Sequence, residues 1–248
     1  MAADNIVLEI KGLYKSFGSN HVLRDFSVTL SQGENLAVLG KSGSGKSVLI
    51  KCIIGLIIPD AGSIKVFGQE VHELHQDDLD QMRAKIGFLF QSNALYDSMT
   101  VEENLLFPLR RHWITQGQAD TDAAVVEALE DVGLGHTRYM MPSELSGGMR
   151  KRIALARTLI LKPQIILYDE PTTGLDPITS REISELIVRV QKKYNTASMI
   201  ISHDMSCIHA TANRIVMLID GKCYANDTYE KLMQSTDQKI RDFFIETI

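Results

Sequence analysis

The run Gly40-Lys41-Ser42-Gly43-Ser44-Gly45-Lys46-Ser47 has residue types and spacing that suit a phosphate chain. Glycines let the backbone curl, so that successive N–H groups converge on an anion. A helix leaving the run would add the positive end of its dipole. In this G-x-x-x-x-G-K-[ST] pattern, Lys46 would reach the β- and γ-phosphates and the Ser47 hydroxyl would ligate Mg²⁺. A second candidate is the pair Asp169-Glu170, which follows the apolar stretch Ile165 to Tyr168. A carboxylate at a strand end is the other half of such a site. Asp169 suits Mg²⁺, and Glu170 suits an attacking water as general base. These residues alone point to a nucleoside triphosphatase or a kinase.

Both runs need strands to present them. Leu36 to Leu39 is a short apolar run entering the first, and Ser47 to Leu56 reads as the helix leaving it, stopped by Pro59, Asp60 and Gly62. Val7 to Leu13 and Phe26, Val28, Leu30 alternate as half-buried strands do. Ile64 to Phe67, Ile86 to Phe90, Gln164 to Tyr168, Ala197 to Ile201 and Ile215 to Ile219 are further strands, with Asp220-Gly221 as a hairpin turn into Lys222 to Ala225. From about Asn93 to Leu161 the pattern becomes helical: Val125, Val126, Leu129 and Val132 share one face, and a further helix spans Met149 to Leu161. Thr179 and Glu182 look like a capping box opening a helix with Ile183, Leu186, Ile187 and Val190 on one face. In the tail, Ile240, Phe243, Phe244 and Ile248 form another helical face.

This order implies an α/β fold with a parallel sheet, an antiparallel β layer near the N-terminus and an inserted helical subdomain. One domain over 1–248 is expected, with a nucleotide-binding core at 1–91 and 162–248 and the helical insert at 92–161. The size agrees: 248 residues and 27.7 kDa, 44% hydrophobic and 23% charged, is ordinary globular composition. Cys52, Cys207 and Cys223 are odd in number and far apart, and read as small apolar side chains in a reducing compartment rather than as a metal site or disulfide frame. A net charge of -5 argues against nucleic acid as the partner. No apolar run approaches the ~20 residues that span a bilayer, and Met1 to Glu9 lacks the features of a signal peptide. Any membrane role should go through a partner protein.

Three further pieces complete a known order. Leu145-Ser146-Gly147-Gly148-Met149 precedes a helix bearing Arg150, Lys151, Arg152 and Arg157; Gln91 ends one strand; His203 follows another. With the phosphate loop, Asp169-Glu170 and Gly174-Leu175-Asp176, the chain resembles the ATPase subunits of ABC transporters over almost its whole length. The resemblance implies a P-loop, RecA-like core that uses ATP and Mg²⁺. It implies that Phe17 stacks on adenine, with Tyr14 a weaker candidate. Gly40, Ser42, Gly43, Ser44, Gly45, Lys46 and Ser47 cradle the phosphates. Gln91 approaches Mg²⁺ and the water, and Ser47 and Asp169 hold Mg²⁺. Glu170 is the base, and His203 bonds the γ-phosphate. Ser146, Gly147 and Gly148, the family's signature segment at the start of a helix, form an anion site facing the nucleotide of a second copy, and Asp176 crosses that interface. Met149 stands where glutamine is usual, which removes a polar side chain but leaves the backbone anion site. The run Arg150 to Arg152 otherwise reads as a solvated helix face. His72, His75, His112 and His209 match nothing and read as surface or packing residues.

The helical block, with Phe107-Pro108-Leu109 and Met141-Pro142-Ser143, looks like the ATPase of Mla-type, Mce-associated phospholipid transporters. That implies permease subunits of the MlaE type and an Mce-domain lipid-binding subunit as partners, at the cytoplasmic face of the inner membrane. It implies no direct membrane insertion and no lipid contact by this chain. A tail ending at Ile248 lacks the long C-terminal extension of some members. An importer or exporter ATPase for another cargo, or a soluble ABC ATPase such as an iron–sulfur assembly factor, is the rival reading.

Overall fold

The computed structural model describes residues 5–111 and 118–245. His112, Ile248 and the first four residues of Met1 to Glu9 lie outside the described residues. Two sheets organise the chain. The first is antiparallel and four-stranded, in the order β2-β1-β4-β5. Its strands are β1 (Ile6–Phe17), β2 (Asn20–Ser31), β4 (Ala61–Val66) and β5 (Gln69–Glu70). One face buries Leu8, Ile10, Leu13, Phe26 and Leu30, which explains the alternation in the sequence.

The second sheet has six strands in the order β10-β9-β3-β8-β7-β6. They are β3 (Asn35–Leu39), β6 (Ile86–Leu89), β7 (Ile165–Asp169), β8 (Ala197–Ser202), β9 (Arg214–Ile219) and β10 (Lys222–Asp227). Neighbours from β9 to β6 run parallel, and β10 is an antiparallel edge. Every residue of β3 and β8 is buried, as expected of parallel strands covered on both faces. Asp220 (φ 53) and Gly221 (φ 76) form the hairpin turn into β10. The expected α/β core and N-terminal β layer are both present.

The register of this sheet builds the site. Leu39 pairs with Ser202, Asp169 with Ile201 and Leu89 with Tyr168. Four strands therefore end side by side, and the segments after them emerge at one edge, where α/β sheets bind ligands. The phosphate loop, Asp169-Glu170, His203 and Gln91 occupy those segments.

The helices are α1 (Lys46–Ile53), α2 (Gln76–Ala84), α3 (Val101–Arg111), α4 (Gln118–Asp131), α5 (Gly147–Leu159), α6 (Pro177–Tyr194), α7 (Met205–Thr211), α8 (Tyr229–Met233) and α9 (Gln238–Ile245). Helices α3, α4 and α5 share an apolar cluster with α6 and one face of β7, including Val101, Leu105, Val125, Leu129, Leu155, Tyr168 and Ile187. The buried Asn104 amide accepts from the Tyr96 N–H and donates to the carbonyls of Tyr96, Met99 and Thr100, tying α3 to the loop before it. No helix among the described residues is long and apolar enough to cross a membrane.

Two sequence expectations are corrected. The cap of α6 is not a Thr179–Glu182 box. Asp176 caps it, accepting from the N–H groups of Ile178 and Thr179, with Pro177 opening the helix. Thr179 donates its hydroxyl to Asp176, and Glu182 is drawn off to Arg152. The proline places the first helical position three residues earlier than the box would. The run Arg150 to Arg152 is also not a uniformly solvated face. Lys151 is 2% exposed, because three consecutive residues on a helix point in different directions and the middle one turns toward the sheet.

Candidate functional site

The site starts from the phosphate loop. Gly45 has φ 104, a conformation that L side chains avoid, and a Cβ there would stand 2.8 Å from the Val22 Cγ1. Glycine alone allows the turn that starts α1 directly behind the loop. Lys46 sits one residue into this turn and is buried at 8% exposure. Its ammonium donates to the carbonyls of Gly40 at 2.6 Å and Lys41 at 3.0 Å. Burial lowers its pKa, against the pull of Glu170 and Asp169.

Across the cleft, Asp169 closes β7. Burial and the neighbouring Glu170 raise its pKa, while Lys46 and Lys151 oppose the rise. Glu170 follows with φ 50. Its N–H donates to the Ile201 carbonyl at 2.8 Å, so the turn is anchored on β8. Its carboxylate accepts from the hydroxyls of Thr173 at 3.1 Å and Ser202 at 3.4 Å, and lies 2.9 Å from His203 Nδ1. Three neighbours thus fix a carboxylate that the backbone already holds in an uncommon conformation. Such local strain is kept where the surroundings over-determine it. Asp204 carries this support outward: its N–H donates to Ser202 and its carboxylate accepts from Thr172.

A cleft of about 640 Å³ is lined by Phe17, Ser42, Gly43, Gly45, Lys46, Ser47, Gln91, Asp169, Glu170 and His203. Phe17, at the end of β1, is 49% exposed, so a flat face is available to a ring. Tyr14 does not line the cleft. Gly40 and Ser44 belong to the loop but lie off this cleft; Ser44 lines a neighbouring hollow beside the β9–β10 turn. Val22, Lys41 and Val48 also line the cleft; Lys41 lies within the loop, and the sequence carried no signal for the two valines.

The remaining expected residues lie apart from this cleft. Ser146 caps α5, its Oγ accepting from the Met149 N–H at 3.2 Å, and Ser146 and Gly147 are exposed. A Cβ on Gly148 would come within 2.6 Å of Thr179 Cγ2, so α5 begins close against the start of α6. Asp176 caps that same α6. Met149 packs partly into the helical apolar cluster. The signature segment and Asp176 thus share one exposed face that does not touch the phosphate loop of the same chain.

The donor set fits a triphosphate with a hard cation. A buried ammonium and a glycine-shaped cradle face the anion side. Oxygen ligands alone, from Ser47, Gln91 and Asp169, face the cation side. Among the described residues there is no cluster of three His, Cys, Asp or Glu side chains for a metal. The all-oxygen donor set suits Mg²⁺, which proteins commonly hold through few side chains plus substrate phosphates.

Comparison with known proteins gives the class. The family model described as ABC transporter matches residues 23–173. The chain is 38% identical over 238 residues to the "probable ribonucleotide transport ATP-binding protein mkl" of Mycobacterium leprae, covering 96% of this chain and 68% of that protein. It is 36% identical to the intermembrane phospholipid transport ATP-binding protein MlaF of Haemophilus influenzae, over 96% of this chain and 89% of that one. It is 34% identical to the methionine import ATP-binding protein MetN of Campylobacter jejuni, over 97% of this chain and 76% of that one. Among solved structures it is similar to the dimeric bacterial ABC transporter cassette MJ0796, with a TM-score of 0.81 and 28% identity over 89% of this chain and 98% of that one. The same cassette has a post-hydrolysis structure bound to ADP and Pi, with a TM-score of 0.79. The chain belongs to the ABC transporter family, as an ATP-hydrolysing cassette.

Proposed function

We propose that this chain is the motor of a membrane transporter, with two copies packing head to tail around two ATP molecules. One observation carries the reading. The phosphate loop, carboxylates, Gln91 and His203 converge in one cleft, while Ser146, Gly147, Gly148 and Asp176 stand on a separate exposed face. An exposed, capped helix start is an anion site in want of an anion, and a second copy's γ-phosphate supplies one. The division into a core at 1–91 and 162–248 and a helical insert at 92–161 belongs to the same reading.

Within each site Phe17 stacks on adenine, Lys46 bonds the β- and γ-phosphates, and Ser47, Asp169 and Gln91 hold Mg²⁺. The cation supplies neutralisation of charge on the phosphate oxygens. Glu170 orients water and takes its proton as the water oxygen bonds to the γ-phosphorus and the bond to the β-phosphate oxygen breaks. His203 positions Glu170 and donates to the γ-phosphate. Closure of the dimer moves the permease because nucleotide binds the closed form better than the open one.

For the cargo we infer phospholipid, moved between membranes of a bacterial envelope by MlaE-type permease subunits with an Mce-domain subunit, from the cytoplasmic face of the inner membrane. The match with MlaF supports this, since it spans 89% of that protein, against 68% for mkl. An importer for another cargo is the second reading, supported by the 34% identity to MetN. Capture of the tagged chain from membranes and identification of the co-purifying permease separates them. An MlaE-type partner supports lipid transport, and a permease of the methionine type removes it.

The two-copy site has its own test. Ser146→Arg loses a helix cap worth about 1 kcal/mol and sets a bulky cation at the facing site. Turnover is expected to fall roughly a hundredfold, with single-chain ATP affinity unchanged to about twofold. Steady-state hydrolysis beside nucleotide titration checks this, and normal turnover would remove the shared site.

A further inference from the structure

Lys151 is a charge the reaction scheme above does not use, and its surroundings are unusual. It lies on α5, five residues beyond the signature serine, and is 2% exposed. A buried ammonium is kept only where acceptors and counter-charges satisfy it. Its Nζ donates to the backbone carbonyl of Gln91 at 3.0 Å and approaches that of Phe90 at 3.5 Å. The acids that act on it electrostatically are Asp169 and Glu170. One side chain of the signature helix therefore reaches the backbone of the glutamine loop while feeling the charge of both carboxylates.

The loop needs such a hold. Asn93 and Ala94 follow Gln91 with φ 64 and 51, two consecutive left-handed residues that are neither part of a strand nor of a helix. Their carbonyls are bonded by a second cation of the same helix, Arg157, at 3.0 Å to Asn93 and 2.7 Å to Ala94. Thr158 adds a bond to the Phe88 carbonyl at 3.3 Å. Helix α5 thus holds the chain from Phe88 to Ala94 at three places, and the lysine is the one at Gln91 itself.

We propose that Lys151 is a positioning residue for hydrolysis: it fixes the backbone of Gln91 to the signature helix, so that the glutamine and this chain's own anion site, which serves the second copy's nucleotide, shift together. This rests on the roles assigned to Gln91 and Glu170. The bond is to a main-chain oxygen, so it controls where Gln91 stands without replacing its side chain. It also gives the helical block a direct grip on the nucleotide cleft, separate from the covalent connection through the loop.

The test uses the full chain and Lys151→Met, which keeps length and apolar bulk but removes charge and donors. Without nucleotide, amide hydrogen exchange across residues 90–95 should rise about tenfold, the loss of one charge-assisted hydrogen bond. Exchange within α5 should stay as in the parent. In turnover, Lys151→Met should lower kcat about tenfold alone but less than about twofold when added to Gln91→Ala, because both changes act through one loop. Unchanged exchange in 90–95, or equal losses in both backgrounds, overturns the proposal. Should that variant fail to fold by its melting curve, Lys151→Gln is read by the same two measurements. If Glu170→Gln hydrolyses normally, the site assignment falls, while the exchange measurement still decides the tie.

Discussion

Glu170→Gln is expected to bind ATP as the parent does and to hydrolyse it about a thousandfold more slowly. The substitution is close to isosteric. The amide oxygen can still accept from Thr173 and Ser202, and the turn still hangs on the Ile201 carbonyl. What is lost is the ability to take a proton from water. Lys46, Ser47 and Phe17 are untouched, so the contacts that hold the nucleotide remain. With binding intact and the reset blocked, the two-copy state should accumulate with ATP, visible as a larger species in size-exclusion chromatography. Single-turnover hydrolysis and nucleotide titration on the same preparation decide the matter. A variant that turns over at the parental rate would move the base to another residue. His203 is the next group to test, since its ring lies 2.9 Å from this carboxylate.

That result depends on a conformation the sequence did not carry. Continuous apolar runs placed β7 and its neighbours, because burial on two faces leaves a plain signature in Ile165 to Tyr168 and Ala197 to Ile201. The phosphate loop was legible for the same local reason: Gly45 must turn where a side chain cannot. The positive φ of Glu170 was not legible, since it comes from an anchor on β8, thirty-one residues along the chain, at Ile201. Nor was the burial of Lys151. Three basic residues in a row read as solvent-facing, and only the docking of α5 against the strand end at Phe90 decides which of them turns inward. Helix α2 was missed because its sequence is mostly polar, with Met82 its buried residue. The α6 cap was misread because Asp176 and Pro177 compete with Thr179 for the same role, and the proline's fixed φ settles the start. Local propensity and period-two burial were readable; contacts between distant segments were not.

Lys46→Ala tests the other half of the site, and its expected effect is on binding rather than on the chemical step. The ammonium already sits in the cleft, held by the Gly40 and Lys41 carbonyls and pushed down in pKa by burial. A triphosphate offers it better acceptors, and charge-assisted hydrogen bonds of this kind are worth about 1.5–3 kcal/mol each. Bonds to both β- and γ-phosphate would together account for a loss of ATP affinity of about a hundredfold or more. Removing the side chain also leaves two loop carbonyls without their partner, which acts against the gain from no longer burying a charge. These two effects oppose each other in the free chain, so its melting temperature should move little while its nucleotide-induced rise in melting temperature disappears. Thermal melts with and without ATP separate the cases. A large fall in the nucleotide-free melt would make the lysine a structural strut of the loop. An unchanged ATP-dependent rise would remove the phosphate-loop assignment, and with it the cleft as the place where this cassette holds its fuel.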